Sequence, residues 1–378
     1  MCSCLAERIL SKDDLNDLLV GVGILGTGGG GDPEKFGRPL VEWDLKKGRE
    51  YRIIDPQEVN DEAFVVSGGY AGSLKAYTSV GSMLEGWESR FELLEAFRVM
   101  ESIRSRKIDY VVPFELGGAN TPVILSLAAR AGIVTIDGDG VGRAAPETQM
   151  SSFFGHGIPI TPMPFVDHEG DVIVVNHGVK AAYPDEIMRA ALVLDGGIGA
   201  NIHYPMSGKQ LKEYVIPNTI SLSIRVGREI SNAVDAKKNP VEVFEQVAKG
   251  REIFKGAVQS TKGEDRGGFY HVKAVVKGLQ EYKKKTMEVV FKNEVMMAHI
   301  NRKLVSVFPD LLCMLDEKTG RGVPTTDLRP GKKVVFVSIP AHERIRQCMD
   351  TEAGRQAFGA ARFGYPNIKY RPTEILTK

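Results

Sequence analysis

Residues 109–150 read DYVVPFELGGANTPVILSLAARAGIVTIDGDGVGRAAPETQM, and the fold class is decided inside this stretch. Asp109–Phe114, with Tyr110, Val111 and Val112 in succession, predicts a strand ending at Glu115. Asn120–Ala131 carries helical spacing, with Pro122 in its first turn and Gly132 to stop it. Ile133–Ile136 is the next strand, ending in Asp137. Strand, helix and strand joined this tightly predict a parallel βαβ unit with a right-handed crossover.

Working outward, the N-terminal side repeats these signals. Ser11 followed by Asp14 predicts a capped helix with Leu15, Leu18 and Leu19 on its apolar stripe. Asp32-Pro33 predicts a second helix start, Tyr51–Ile54 and Ala63–Ser67 two strands, and Met83–Arg106 one long amphipathic helix. Downstream, Pro184–Leu194, Ser207–Tyr214, Ile220–Ala233 and Pro240–Lys249 read as helices. From Phe254 the pattern turns to β, with strands at His271–Lys277, Met287–Lys292, Leu304–Phe308 and Lys333–Ile339. The expectation is an α/β protein: a parallel-sheet α/β domain over residues 1–168, then a domain over 169–378 with helices and a β-rich part at about 251–345.

Composition agrees. A chain of 378 residues favours two domains at ~100–200 residues each. With 43% hydrophobic and 26% charged residues, it can build a core. Its balance of 49 − 48 = +1 gives no electrostatic reason to expect nucleic acid or an anionic membrane. No apolar run reaches the ~18 residues a membrane span needs. The start, MCSCLAERIL, carries Glu7 and Arg8 where a secretory signal needs an apolar stretch. Four cysteines fit a reducing compartment, so a cytoplasmic location is expected, and Cys2 and Cys4 read as ordinary thiols.

Ligands of open parallel sheets bind beyond the carboxyl ends of the strands. Two adjacent strand ends carry acids here, Glu115 and the pair Asp137 and Asp139, with Arg143 and Glu147 just downstream. Each acid alone reads equally as a turn or cap residue. Together they suit water activation, a hard cation or a substrate amide. The run Gly26–Gly31 contains G-x-G-x-x-G, a pattern that five glycines in six satisfy trivially. No Gly-Lys-Ser/Thr follows it. Its backbone N–H groups, those of Gly28, Gly29 and Gly30 among them, suit an anion, and plain turn chemistry explains the run as well. Of seven histidines none forms H-x-x-x-H, so zinc has no sequence signature. His156, His168 and His177 follow the acidic edge in loops, so a divalent ion (Zn or Mg), if bound, would draw on Asp137, Asp139, His156 and His168. Neither a G-x-S-x-G elbow nor a cysteine–histidine pair of known spacing is present. Lys283–Lys285 reads as a solvated hairpin end.

Taken in order, ILGTGGGGDP (24–33), ELGGAN (115–120) and DGDGVGRAAPETQM (137–150) resemble the S-methyl thiohydantoin desulfurase family. VGREI (226–230), GGF (267–269), FKNE (291–294) and TTDLRPG (325–331) resemble the second domain of that family. The resemblance implies an α/β N-terminal domain and a C-terminal domain whose β-rich part is of swivelling type. It also implies a hydrolase of five-membered imidazolidine rings, in which water displaces a thiol from an S-substituted thiohydantoin and leaves a hydantoin. Members are found beside hydantoinase/oxoprolinase proteins, so association with these, or a homo-oligomer, fits the family. One departure is SGGYAGSLKAYTSVG (67–81), where relatives have a short Gly-Ala-Pro turn.

On this reading a carboxylate among Glu115, Asp137 and Asp139 activates water, alone or through a metal. The 26–31 amides and Arg143 stabilise developing charge, and Asn120 and Glu147 position the ring. Glu115→Gln and Arg143→Met are then expected to cost far more activity than stability. Two other readings stand beside it. One is a non-catalytic partner of a hydantoinase/oxoprolinase assembly; the other is an ATP- or NAD-dependent enzyme using the glycine turn, which the missing context disfavours.

Overall fold

Ser11 opens the first long helix with a reciprocal capping box: its hydroxyl accepts from the Asp14 N–H, and the Asp14 carboxylate accepts from the Ser11 N–H. The computed structural model describes residues 7–73, 81–194 and 197–378. Cys2, Cys4 and positions 74–80 of the variant turn lie outside the described residues.

The first sheet is built from β1 (Arg8–Ile9), β2 (Arg52–Ile54), β3 (Phe64–Gly72), β4 (Tyr110–Pro113) and β5 (Val134–Ile136). The two-residue β6 (Gly138–Asp139) leaves that sheet, and β7 (Met163–Asp167), β8 (Val172–Val175) and β9 (Ile198–Ser207) complete it. Strand order is β1-β2-β5-β4-β3-β9-β7-β8. The centre β2-β5-β4-β3 is parallel, and the expected βαβ unit, with helix Asn120–Ala131 as its crossover, sits there. β9 runs antiparallel to β3, pairing Asn201 with Gly69 and His203 with Ser67. A second pairing joins β6 to β10 (Ile216–Pro217).

The second sheet contains β11 (Arg251–Arg266), β12 (Phe269–Gly278), β13 (Thr286–Lys292), β14 (Glu294–Ile300), β15 (Lys303–Val307), β16 (Leu311–Leu315) and β17 (Lys333–Ile339). It is antiparallel throughout, in the order β15-β14-β13-β12-β11-β17-β16. It curls into a half-barrel, which brings its end strands β15 and β16 into contact.

Two expectations change. Met83–Arg106 is not one helix but two, Gly81–Gly86 and Glu92–Arg104. The break falls at Trp87, which packs against Phe36, Tyr70 and Phe91 at ring-centroid distances of 4.9–5.9 Å. Burying that aromatic cluster outweighs helical continuity across Gly86. Second, β8 and β9 lie beyond residue 168 in sequence, yet they belong to the first sheet. One core cluster mixes Val65, Phe114 and Phe153 of the first half with Met296, Phe308 and Phe358 of the second. A fully buried phenylalanine contributes roughly 1.5–3 kcal/mol, so this shared core binds the halves firmly. Among the described residues no helix is long and apolar enough to cross a membrane.

Candidate functional site

Glu115 follows β4 at the carboxyl end of the parallel sheet and is buried. Asn120, in the first turn of the next helix, donates to its Oε1 from Nδ2 at 2.7 Å, and the Ala145 N–H donates to Oε2. Asn120 is fixed in turn by exchanging hydrogen bonds with the Tyr70 backbone of β3. Its amide therefore orients the carboxylate. Burial first, and the nearby charge of Glu294 second, push Glu115 well above the usual carboxylate range.

Glu294 begins β14, at the rim of the half-barrel nearest this sheet edge. It is 2% exposed, and its Oε1 accepts from the Gly30 N–H at 3.3 Å. Burial raises it to about 7, against the opposing pull of the Arg143 charge. The Gly30 N–H of the glycine run is thus taken by a carboxyl of the protein itself. Only glycine fits: a Cβ at position 29 would sit 1.9 Å from Glu294 Oε1, and Gly30 has φ +67° with the Gly117 Cα behind it. The run follows helix Lys12–Leu25 rather than a strand, so the strand–turn–helix context of a dinucleotide loop is missing.

Glu115 and Glu294 line one cavity, about 540 Å³ of empty space including its mouth. Its wall includes Gly30 and Gly31, Gly69–Gly72 of β3, Asn120, Glu147, Arg189, Asn201 and His203. Glu147 there is neutralised from the second half of the chain. Lys292 Nζ donates to its Oε1, and Arg362 donates to its Oε2 from Nε at 2.9 Å and from its terminal nitrogen. Arg189 is held by Asp185, Gly268 O and Pro146 O, with its guanidinium 3.7 Å from the Phe269 ring centre.

The remaining predicted residues lie elsewhere. Asp137 accepts from both the N–H and the hydroxyl of Ser221, in the first turn of helix Thr219–Asp235, so it caps that helix. Asp139 Oδ1 accepts from the Val141 and Gly142 amides in a tight turn, and burial raises it to about 7. Neither lines the cavity. Arg143 is fully buried behind it, with donors fixed on Thr27 Oγ1, Val295 O and Asp310 O. It pins the glycine loop to the half-barrel, and burial lowers it to about 10. Gly28 lies outside the wall, its carbonyl accepting from the Thr325 N–H.

The expected metal set is not assembled. His156 stacks on Tyr214 at 4.6 Å, and His168 pairs with Glu169 in the β7–β8 turn. Asp137 and Asp139 have the partners just given. Among the described residues no three His, Cys, Asp or Glu side chains gather where a metal ion would be held. Each of these donors is held by its own partner, and together they do not fit a divalent ion.

Sequence reading missed Glu294, Asn201 and His203. FKNE contains Glu294, and the signal was an acid placed between the buried Phe291 and Val295. Asn201 and His203 alternate with Ala200 and Ile202, the period of a strand, within a stretch whose glycines mask it.

The family model described as S-Me-THD-like, N-terminal domain matches residues 13–177, and the one for the C-terminal domain matches residues 180–373. A crystal structure of a protein from Chromobacterium violaceum is similar at a TM-score of 0.74, with 22% identity over 97% of this chain and 100% of that one. At that identity the likeness concerns the fold. A comparison with curated proteins gave no match.

Proposed function

The chain belongs to the S-Me-THD-like family, that of S-methyl thiohydantoin desulfurases, and from this premise we propose that it hydrolyses an S-substituted thiohydantoin to a hydantoin and a thiol. One observation carries the proposal: two buried glutamates, one from each half of the chain, share a cavity and both hold protons more tightly than usual. Both carboxyls are raised and each disfavours ionisation of the other, so the pair titrates as a unit in which one member can act as base and the other as acid. The ionised member takes a proton from water, and the hydroxyl oxygen forms a bond to the sulfur-bearing ring carbon. The protonated member gives its proton to the departing sulfur, the carbon–sulfur bond breaks, and methanethiol leaves when the substituent is methyl. The ring C=N pair moves onto nitrogen as the oxygen adds and returns as the carbon–sulfur bond breaks; the hydroxyl proton then passes to that nitrogen and the ring carbon becomes a carbonyl, so water and substrate balance hydantoin and thiol.

Asn120 and the Ala145 amide aim Glu115, and the Gly30 amide aims Glu294. Arg143 acts as a fixed positive charge behind the pair and as a positioning residue. The test is thiol release from S-methyl thiohydantoin by the purified chain. Glu115→Gln and Glu294→Gln should each lower turnover by roughly 10²–10⁴-fold while the protein stays folded. Wild-type rates in either variant would remove that glutamate from the chemistry. No release by the wild-type chain would favour the non-catalytic partner reading.

A further inference from the structure

The pair accounts for bond making and breaking, but not for how a small ring is told from other molecules. Three residues of the cavity wall each carry a buried side-chain atom that has no hydrogen-bond partner among the described residues: Glu294 Oε2, Asn201 Oδ1 and His203 Nδ1. A native interior leaves few such atoms, because each forfeits its bonds to water. Three on one cavity wall point to a ligand that supplies the missing bonds. Glu294 belongs to the chemistry already proposed. Asn201 and His203 stand two residues apart on β9, on the same face of the strand, 3% and 1% exposed.

Their settings define what they can read. Asn201 Nδ2 lies 2.8 Å from Met188 Sδ, a contact that suits an N–H donor and would repel a carbonyl oxygen. Its oxygen is therefore the free end, and it needs a donor. The His203 ring is held edge-on between Phe114 and Tyr204, at 5.3 and 4.9 Å between centroids. Burial lowers its pKa to about 3, so it stays a neutral imidazole at working pH and offers a hydrogen bond without charge.

We propose that Asn201 and His203 are the ring-reading residues of this cavity: Asn201 Oδ1 accepts from a ring N–H of an uncharged cyclic ureide, and His203 Nδ1 bonds the adjoining ring edge. The assignment rests on the hydrolase reading for its place in the reaction, and it is tested by binding alone. A site built to bond an N–H rejects the analogue that lacks it, because its own acceptor is then left unpaired.

Titration calorimetry of the full chain with hydantoin and with 1,3-dimethylhydantoin, which has no ring N–H, decides the matter. The wild-type chain should bind hydantoin on the order of tenfold to a hundredfold more tightly than the dimethyl ring. Asn201→Ala should bring the two affinities together, and His203→Phe should weaken hydantoin about tenfold or more. Equal affinity of the wild-type chain for both rings, or binding of neither, overturns the proposal, and this comparison needs no variant to fold. Full preference retained in folded Asn201→Ala overturns it as well. Selective hydantoin binding without thiol release from any thiohydantoin would uphold the ring-reading site and sink the hydrolase reading.

Discussion

Glu115 and Glu294 make the same demand on the folded chain. Their carboxyls hold protons more tightly here than in the unfolded chain, where the ordinary value is 4.5. The stability this contributes is fully present below that value and is lost as pH rises through about 7 at Glu294. Between the two, stability should fall by on the order of 3 kcal/mol. Glu294→Gln should flatten that fall in denaturant melts taken across the range, and an unchanged slope would contradict the burial argument. Arg143 departs from its expected behaviour. Arg143→Met would strip a donor from Thr27 Oγ1, Val295 O and Asp310 O together, so we expect a loss of roughly 3 kcal/mol or more, not an activity defect in a stable protein. Glu115 was legible in the sequence because a strand end displays its acid locally. Glu294 was not, because its partner, the Gly30 amide, lies 264 residues away and only the packing of the glycine loop on the half-barrel brings them together.

Among the elements, those with local signals were readable. The capping box at Ser11, the βαβ unit around helix Asn120–Ala131 and the helix at Pro240–Ala248 all form where spacing and caps require. β9 was not readable: Gly199, Asn201 and His203 interrupt its apolar pattern, and those interruptions are where it faces the cavity or packs closely on Phe165. Asp137 shows the same ambiguity from the other side. A strand-end acid reads as chemistry or as a cap, and only the fold of helix Thr219–Asp235 against it decides. Asp137→Ala should cost about 1–2 kcal/mol in denaturant melts, as cap losses do, and leave thiol release by the folded protein unchanged. Lost release with intact stability would return Asp137 to the catalytic list.

For the whole molecule, the division into an α/β part and a β-rich part was visible as a change of period near residue 250, but the sharing of the first core between them was not. Residues such as Phe114 and Phe308 give no local hint that they share one core. That shared core predicts one cooperative transition in calorimetry, with calorimetric and van't Hoff enthalpies equal. Two resolved transitions would mean that the halves melt separately. The ion pairing at Glu147 carries a consequence for biosynthesis. Glu115, Glu147, Lys292, Glu294 and Arg362 leave the ribosome in that order, and Glu147 gains its last counter-charge only when Arg362 has emerged. Every nascent chain that stops short of that point carries a cavity wall with an under-neutralised carboxylate, so translation through Arg362 precedes a finished site.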